Sequence, residues 1–499
     1  MRFSTFDWSI VAVYVLLAFA IGMMARKRIT SIADFLVAGR HIRYNLGVAS
    51  LVATELGLVT MMYFAEQGYR FGFAAFIIGV IWAAAYFMIG QTGFVVERIR
   101  QLEIITITEY FQVRYSRGVR VLAASLLTIA GVLSLGVFLK LGAVFIVQFT
   151  DIPVDSLHMT MTVLVVIVVT YTILGGMVSV VLTDYLQFVI LAVGMLVATF
   201  FVLQYHGFTG IFEKAGELYG AGAMNPFTHP EYGWTFIGYW AVFAISGCVL
   251  WQPVAQRILA SEKPELNRRI FKSTSVMFLG RAFFPILWGI GAALYFGAGG
   301  DPTAGMPKFL AEILPIGILG FLAAGMFAAL MSTDDSYLIA WSGIIVQDLI
   351  APLRGKEISG PGRVMLTRIC VFIIGILMLI FGIWYELKDS AFRYLLDVTT
   401  IYYAGGLPVL VAGLYWKRAS LPGAYLAFAF GAFLPLAFVT EDIILQARGI
   451  TDAGFFSELL SPNMRGLMSF VLGFIGMGIG SITTQNNPAV TVAGFEENV

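Results

Sequence analysis

Apolar residues fall along this chain in long blocks, and charged residues collect in the gaps between them. Thirteen blocks are long enough to cross a bilayer as helices. They lie near 6–26, 45–68, 72–97, 119–149, 156–175, 178–205, 233–256, 270–297, 309–347, 364–386, 394–416, 420–440 and 464–484. The pattern predicts an all-α polytopic membrane protein with about 13 transmembrane helices. Nearly all connections are short, so one membrane domain is expected and no soluble module. The two longer gaps, 204–233 and 441–462, carry Gly, Pro and charges and read as surface structure.

Polar residues inside these blocks carry the chemistry, because a polar group at membrane depth needs a partner, an ion or water. The block 321–349, FLAAGMFAALMSTDDSYLIAWSGIIVQDL, is the richest. On a helix Ala329, Ser332, Thr333 and Ser336 fall on one stripe, with Asp335 at its edge. Such an oxygen-rich face suits a small hard cation such as sodium. The competing reading has Ser and Thr bonding back to carbonyls one turn earlier. In the second block Thr54, Glu55, Gly57 and Thr60 interrupt an apolar helix within two turns. Unwound backbone there would expose carbonyls to a cation, unless the small residues form a packing face. Thr183, Asp184 and Gln187 follow the Gly175-Gly176 turn of the sixth block. Asp184 either ligates an ion or holds helices together. Trp251, Gln252, Pro253 and Gln256 end the seventh block, with Pro253 expected to bend that span. Trp251 reads equally as a lining aromatic or an interfacial anchor.

Composition narrows the class. Of the 499 residues 59% are hydrophobic and only 12% charged, about half the charge of a soluble chain. The net charge of +1 points to no polyanionic partner, and no nucleic-acid-binding stretch is present. The two cysteines, Cys248 and Cys370, sit in apolar blocks and suggest neither a disulfide nor a metal site. All four histidines, His41, His158, His206 and His229, fall in loops or near span ends. No nucleophile–base pair, phosphate loop or zinc spacing appears, so an enzyme and any organic cofactor are not expected. The first block lacks a cleavage site and is expected to be retained.

Basic residues set the orientation. Arg26, Lys27, Arg28, Arg40 and Arg43, then Arg98, Arg100, Arg114, Arg117 and Arg120, fall on one side of thirteen crossings. Arg257, Lys263, Arg268, Arg269, Lys272, Arg354, Lys356, Arg363, Arg368, Lys417 and Arg418 join them. The opposite side keeps Arg2, Arg70, Lys214, Lys308, Lys388, Arg393, Arg448 and Arg465. The N-terminus is expected outside and the C-terminus in the cytoplasm of a plasma (inner) membrane. Lys140 and Arg281 are the basic residues left within spans, opposite Glu55, Asp184, Asp334 and Asp335. Intramembrane charges are functional candidates by default, although a plain structural pair is the alternative for Arg281.

Three stretches in order, GGMVSVVLTDYLQ (175–187), WQPVAQRILAS (251–261) and AALMSTDDSYL (328–338), resemble the sodium:solute symporter family of proline, sialic acid, sugar, iodide and choline carriers. The stretch MMARKRITSIADFLVAGRHI (23–42) is similar to that family's first inner loop. The resemblance implies an inverted five-plus-five helix repeat made of segments two to eleven. Residues 1–44 are then an extra helix and basic loop, 45–440 contain the core, and 441–499 hold an outer loop, last helix and short tail. It also implies broken helices at 53–60 and 248–256. Carried over residue by residue, sodium falls to Ala53, Leu56, Ala329, Ser332 and Thr333. A second cation falls to Asp184, Asp335 and Ser336.

Glu55 stands where proline carriers have Asp, the choline carrier Trp and sialic acid carriers Thr. Ser134 stands near the sialic acid carriers' arginine. The candidate solute-binding set is Glu55, Gly57, Thr60, Phe76, Lys140, Trp251 and Gln252. Glu55 and Lys140 are expected either to hold the two ends of a zwitterion or to pair with each other. The implied activity is sodium-coupled symport of a small polar solute, an amino acid or amine by preference, through alternating access in a lipid bilayer. Proton coupling is the first alternative, since Asp334, Asp335 and Glu55 are titratable. A sensor that binds without transporting is another, although the tail TTQNNPAVTVAGFEENV leaves no room for a signalling domain. A channel is disfavoured by the lack of a repeated pore loop.

Overall fold

The computed structural model describes residues 3–25, 32–220, 224–354, 358–387, 390–450 and 454–484. Arg2, Arg26, Lys27, Arg28, Lys356, Lys388 and the tail 485–499 lie outside the described residues. The described chain is helical throughout, with no β-strand and one isolated bridge between Ile42 and Ser261. Helix is what lipid demands, because only a helix satisfies its own backbone without water.

The helices run in order α1 (Thr5–Ala25), α2 (Tyr44–Glu55), α3 (Leu58–Phe71), α4 (Phe76–Thr92), α5 (Ile107–Arg114), α6 (Arg117–Thr150) and α7 (Leu157–His206). There follow α8 (Gly210–Tyr219), α9 (Gly233–Leu250), α10 (Gln252–Ala260), α11 (Leu266–Phe296), α12 (Pro302–Ile313) and α13 (Ile318–Ile344). Last come α14 (Gly360–Trp384), α15 (Ala391–Tyr415), α16 (Leu421–Ala447) and α17 (Pro462–Thr483). Eleven helices among the described residues are long and apolar enough to cross a membrane, beside a shorter apolar helix at Thr5–Ile21. Length gives eleven where thirteen were expected because it merges two expected spans and leaves α1 too short to count. The stretch Leu58–Thr92 counts once although it turns at Gly72 (φ 64°), and α2 lies apart beyond the break at Leu56.

Two groups of five crossings make the core. The first is α2/α3, α4, α6 and the two arms of α7, which part at Gly176 (φ 57°, ψ −175°). The second is α9/α10, α11, α13, α14 and α15. Five crossings leave the chain on the far side, so the second group starts inverted relative to the first. Each group begins with a helix broken at mid-depth.

Two local expectations change, and a third gains detail. The block 309–347 is not continuous: α12 ends at Ile313, and α13 begins after Gly317 (φ 85°). The 204–233 gap contains α8, whose Tyr219 hydroxyl donates to the carbonyl of Tyr69 at 2.7 Å and so roofs α3. Pro253 does not bend a span. It sits in the first turn of α10, where its missing N–H is not needed.

Close packing fixes the broken helix to its neighbours. A Cβ on Gly68 of α3 would fall on the carbonyl oxygen of Ile286, and one on Gly289 of α11 on that of Ala65. Small residues at both faces let the two backbones touch. The extra helix α1 also reaches the core. Its buried Asp7 accepts from the backbone N–H of Gly317 at 2.7 Å and of Gly320 at 2.8 Å, which caps the start of α13.

Gly289→Ala is expected to lower stability by about 1–3 kcal/mol through overpacking. Thermal unfolding in detergent reads this, and an unchanged melting temperature would show that α3 and α11 do not touch there.

Candidate functional site

Helix α2 stops at Glu55 because Leu56 (φ −92°, ψ 52°) and Gly57 (φ −72°, ψ 159°) leave helical geometry. The break strips nearby carbonyls of their intrahelical partners. Helix α13 supplies the answer. Ser332 Oγ lies 3.0 Å from the Ala53 carbonyl oxygen, and Thr333 Oγ1 lies 3.1 Å from that of Thr54. Ser332 Oγ is also 3.3 Å from the carbonyl oxygen of Ala329. A Cβ on Gly57 would strike the Thr333 hydroxyl, so glycine there admits Thr333 to the break. All these residues are buried.

The result is a knot of uncharged oxygens from two helices. Hard cations prefer oxygen ligands, and the hydroxyl hydrogens can rotate away from an ion. The donor set therefore fits a monovalent hard cation. Among the described residues no cluster of His, Cys, Asp and Glu could hold a metal ion instead. Of the five predicted sodium ligands, the structure brings Ala53, Ala329, Ser332 and Thr333 together. Leu56 is at the break, where its N–H donates to Val52, and Thr54 contributes a carbonyl that was not in the predicted set.

One turn further along α13 the polar groups change character. Arg257 of α10 reaches Asp184 Oδ2 at 3.2 Å, Ser336 Oγ at 2.8 Å and Ser50 Oγ at 3.2 Å. Ser50 also donates to Asp184 Oδ2 at 2.6 Å. Ser336 bonds back to the Ser332 carbonyl at 2.6 Å and approaches Asp335 Oδ1 at 3.3 Å. Asp184 Oδ1 and Asp335 Oδ2 are buried without a hydrogen-bond partner. Asp184, Asp335 and Ser336 are thus assembled around a guanidinium, which the sequence had placed at the surface. Arg257 is only 2% exposed.

Beside the break lies a cavity of about 80 Å³, room for on the order of five waters. Glu55, Thr60 and Trp251 line it, as do Ser134 and Arg281. Most of its wall is aromatic: Tyr63, Trp82, Phe138, Trp240, Phe243, Tyr337, Phe392 and Tyr403. Phe392 closes one end against Tyr63 and Trp240, with ring centroids 5.5 and 5.3 Å away. Trp251 closes the other against Tyr337, donating from Nε1 to that hydroxyl at 2.9 Å. Beyond Trp251, at the basic end, Gln252 Oε1 accepts from the N–H of Ile107, and Arg120 pairs with buried Asp348 at 2.6 Å.

The remaining predicted solute residues stand elsewhere. Lys140 donates to the Tyr385 carbonyl at 2.6 Å and does not line the cavity. Phe76 stacks on Phe283 at 4.4 Å. Gly57 faces Thr333, and Gln252 caps α5. Glu55 meets Arg281, not Lys140: Oε2 lies 3.6 Å from Arg281 Nη1. Arg281 reads from the sequence as an intramembrane charge, but its cavity position needs the packing of α11. The aromatic wall carried no signal of its own, because such residues fill every apolar block.

A family model described as "Sodium:solute symporter family" matches residues 35–431. The sodium/sialic acid symporter SiaT of Proteus mirabilis (strain HI4320) is 24% identical over 474 residues, covering 91% of this chain and 92% of that protein. Sodium/glucose cotransporter 4 of Danio rerio is 25% identical over 511 residues, covering 91% and 74%. A solved structure of a Na+-coupled sialic acid symporter in a substrate-bound outward-open state superposes with a TM-score of 0.80. It shares 20% identity and covers 98% of this chain and 100% of that one, which shows a common fold.

Arg257→Gln is expected to cost about 3–5 kcal/mol, because it leaves the Asp184 carboxylate buried and unpaired. Adding Asp184→Asn should restore most of the loss in a thermal melt. A single variant as stable as wild type would mean that the pair does not hold α10 to α7.

Proposed function

The chain belongs to the sodium:solute symporter family, and on that premise we propose that it imports a small polar organic solute with sodium by alternating access. The single observation that carries the reading is the juxtaposition of the α2/α3 break with the Ser332 and Thr333 hydroxyls. Sodium is assigned to the Ala53, Thr54 and Ala329 carbonyls with those two hydroxyls, Leu56 standing beside them. Asp184, Asp335 and Ser336 are the candidates for a second cation.

Sodium joins helices from the two halves of the core, so it favours one arrangement of the halves over the other. A ligand shifts such an equilibrium only by its differential affinity for the two states. A coupling of about 1–3 kcal/mol would raise solute affinity roughly 5–150-fold, and solute would raise sodium affinity equally. The aromatic stacks at Phe392 and Trp251 are the thin barriers that would open alternately. The relatives named above are called symporters of sialic acid and glucose. For this chain amino acids and small amines are the first candidates, supported by the charged residues in an aromatic cavity. The distribution of basic residues supports an N-terminus outside and a C-terminus inside a plasma membrane.

Proton coupling is the second reading, favoured by the buried, unpartnered carboxylate oxygens of Asp334 and Asp335. Uptake into proteoliposomes, with sodium and pH gradients imposed separately, separates the two. The sodium gradient alone is expected to suffice. Ser332→Ala combined with Thr333→Ala should raise the sodium concentration for half-maximal uptake at least about tenfold, a loss near 1.4 kcal/mol. Wild-type sodium dependence in that double variant would refute the assignment.

A further inference from the structure

Two opposite charges share the cavity, and their geometry is incomplete. Glu55 and Arg281 are 5% and 6% exposed, and both line the cavity. Their closest approach, 3.6 Å, is an ion pair too long for a hydrogen bond. Glu55 Oε1 and Arg281 Nε are each buried with no hydrogen-bond partner. Buried charges normally fill their hydrogen-bonding capacity with close partners. The other basic–acidic pair nearby is closed by hydrogen bonds: Arg257 bonds Asp184, Ser336 and Ser50, and only Asp184 Oδ1 is left unmet. The Glu55–Arg281 pair is the one left loose, and it is the one facing the empty space.

The surroundings of the two groups differ. Arg281 is held from behind by rings, its guanidinium carbon 4.6 Å from the Phe278 centroid and 5.5 Å from that of Trp82. Those contacts fix the guanidinium without using its N–H groups. Glu55 sits at the helix break, among the aromatic groups Tyr63, Trp251 and Tyr337 that line the same cavity. An ammonium accepted by Glu55 would lie against those ring faces, which also favour a cation.

Resting on the reading of the chain as a sodium-coupled carrier, we infer that Glu55 and Arg281 together recognise a small net-neutral zwitterion. Its ammonium bonds Glu55, its carboxylate bonds Arg281, and the two ends part the ion pair. Charge balance decides for a zwitterion over its rivals. The pair is neutral by itself, so a solute of zero net charge with separated ends leaves every buried charge matched. A net anion satisfies Arg281 and strands Glu55, and a simple amine does the reverse. A sugar offers hydroxyls to both but no charge, and would part the pair without replacing it. Charge-assisted bonds from both ends repay that separation most fully.

The test uses wild-type protein first. Thermal stabilisation in detergent is measured with and without sodium for L-alanine, L-proline and L-phenylalanine, and for glucose, N-acetylneuraminate and choline. At least one amino acid is expected to stabilise in a sodium-dependent way. Its N-acetyl derivative, which keeps only the acid, and its amide, which keeps only the amine, should each bind at least about tenfold more weakly. Arg281→Gln should lose the amino acid response and keep the shift given by sodium alone, which also shows that the variant is folded. Arg281→Lys, which keeps the charge without the fork, should recover part of the affinity.

The inference is overturned if a blocked derivative binds as well as its parent. It is equally overturned if glucose, N-acetylneuraminate or choline stabilises while every amino acid is silent, or if sodium stabilises and none of the six compounds does. Failure of the underlying reading looks different: sodium itself then gives no shift and no compound responds to it.

Discussion

Everything in this structure depends on one gap in a helix at membrane depth. Lipid offers no hydrogen bonds, so the carbonyls released at the end of α2, those of Ala53 and Thr54 among them, must be met by protein, an ion or water. Ser332 and Thr333 meet them at 3.0 and 3.1 Å from a helix in the other half of the core. Because the two partners sit in different halves, the same contacts that satisfy the backbone also report the relative position of the halves. A monovalent cation placed there ties local coordination to global arrangement. On the proposed reading, coupling of sodium to solute rests on that shared dependence.

Several features make sense as supports for this junction. Gly57 clears space for Thr333, and Gly68 with Gly289 brings α3 against α11. Asp7 caps the first turn of α13 from an extra helix outside the ten-crossing core. Arg257 ties α10, the second half of the other broken helix, to α7 and α13. Each support pins one side of the junction to a rigid neighbour. Coordination geometry in transporters has to be held closely, since small displacements of ligands forfeit binding energy.

Charge is handled in two ways within a few turns. Around Asp184 it is neutralised in place by Arg257 with well-formed hydrogen bonds, which suits a structural tie. Around Glu55 it is neutralised by an approach of 3.6 Å beside a cavity, which leaves bonding capacity for a visitor. The aromatic rings around that cavity lower the local dielectric and so raise the weight of each charged contact. On the proposed reading, the junction offers sodium neutral oxygens and the cavity offers a solute opposed charges, so each can select its own ligand.

Hydrophobic blocks alone determined an all-helical membrane protein, and the polar interruptions at 53–60, 251–256 and 329–336 marked where its helices break or meet across the break. Those features are local: apolar length decides spanning, and a hydroxyl's place on a helical stripe follows from its spacing. Fusion or division of blocks was less legible, as at Leu314–Pro315 between α12 and α13, because a break inside an apolar run costs nothing in hydropathy. What only the tertiary structure decided was pairing. Lys140 and Arg281 are equivalent in sequence, each one basic residue in one span. Packing of α11 against α3 sends Arg281 to Glu55, while Lys140 turns to the Tyr385 carbonyl. Likewise Arg257 reads as a surface residue next to a basic loop, yet folding carries it to Asp184, 73 residues away in the chain. Long-range charge matching depends on how whole helices stack, and no local pattern encodes which of several equal partners will arrive.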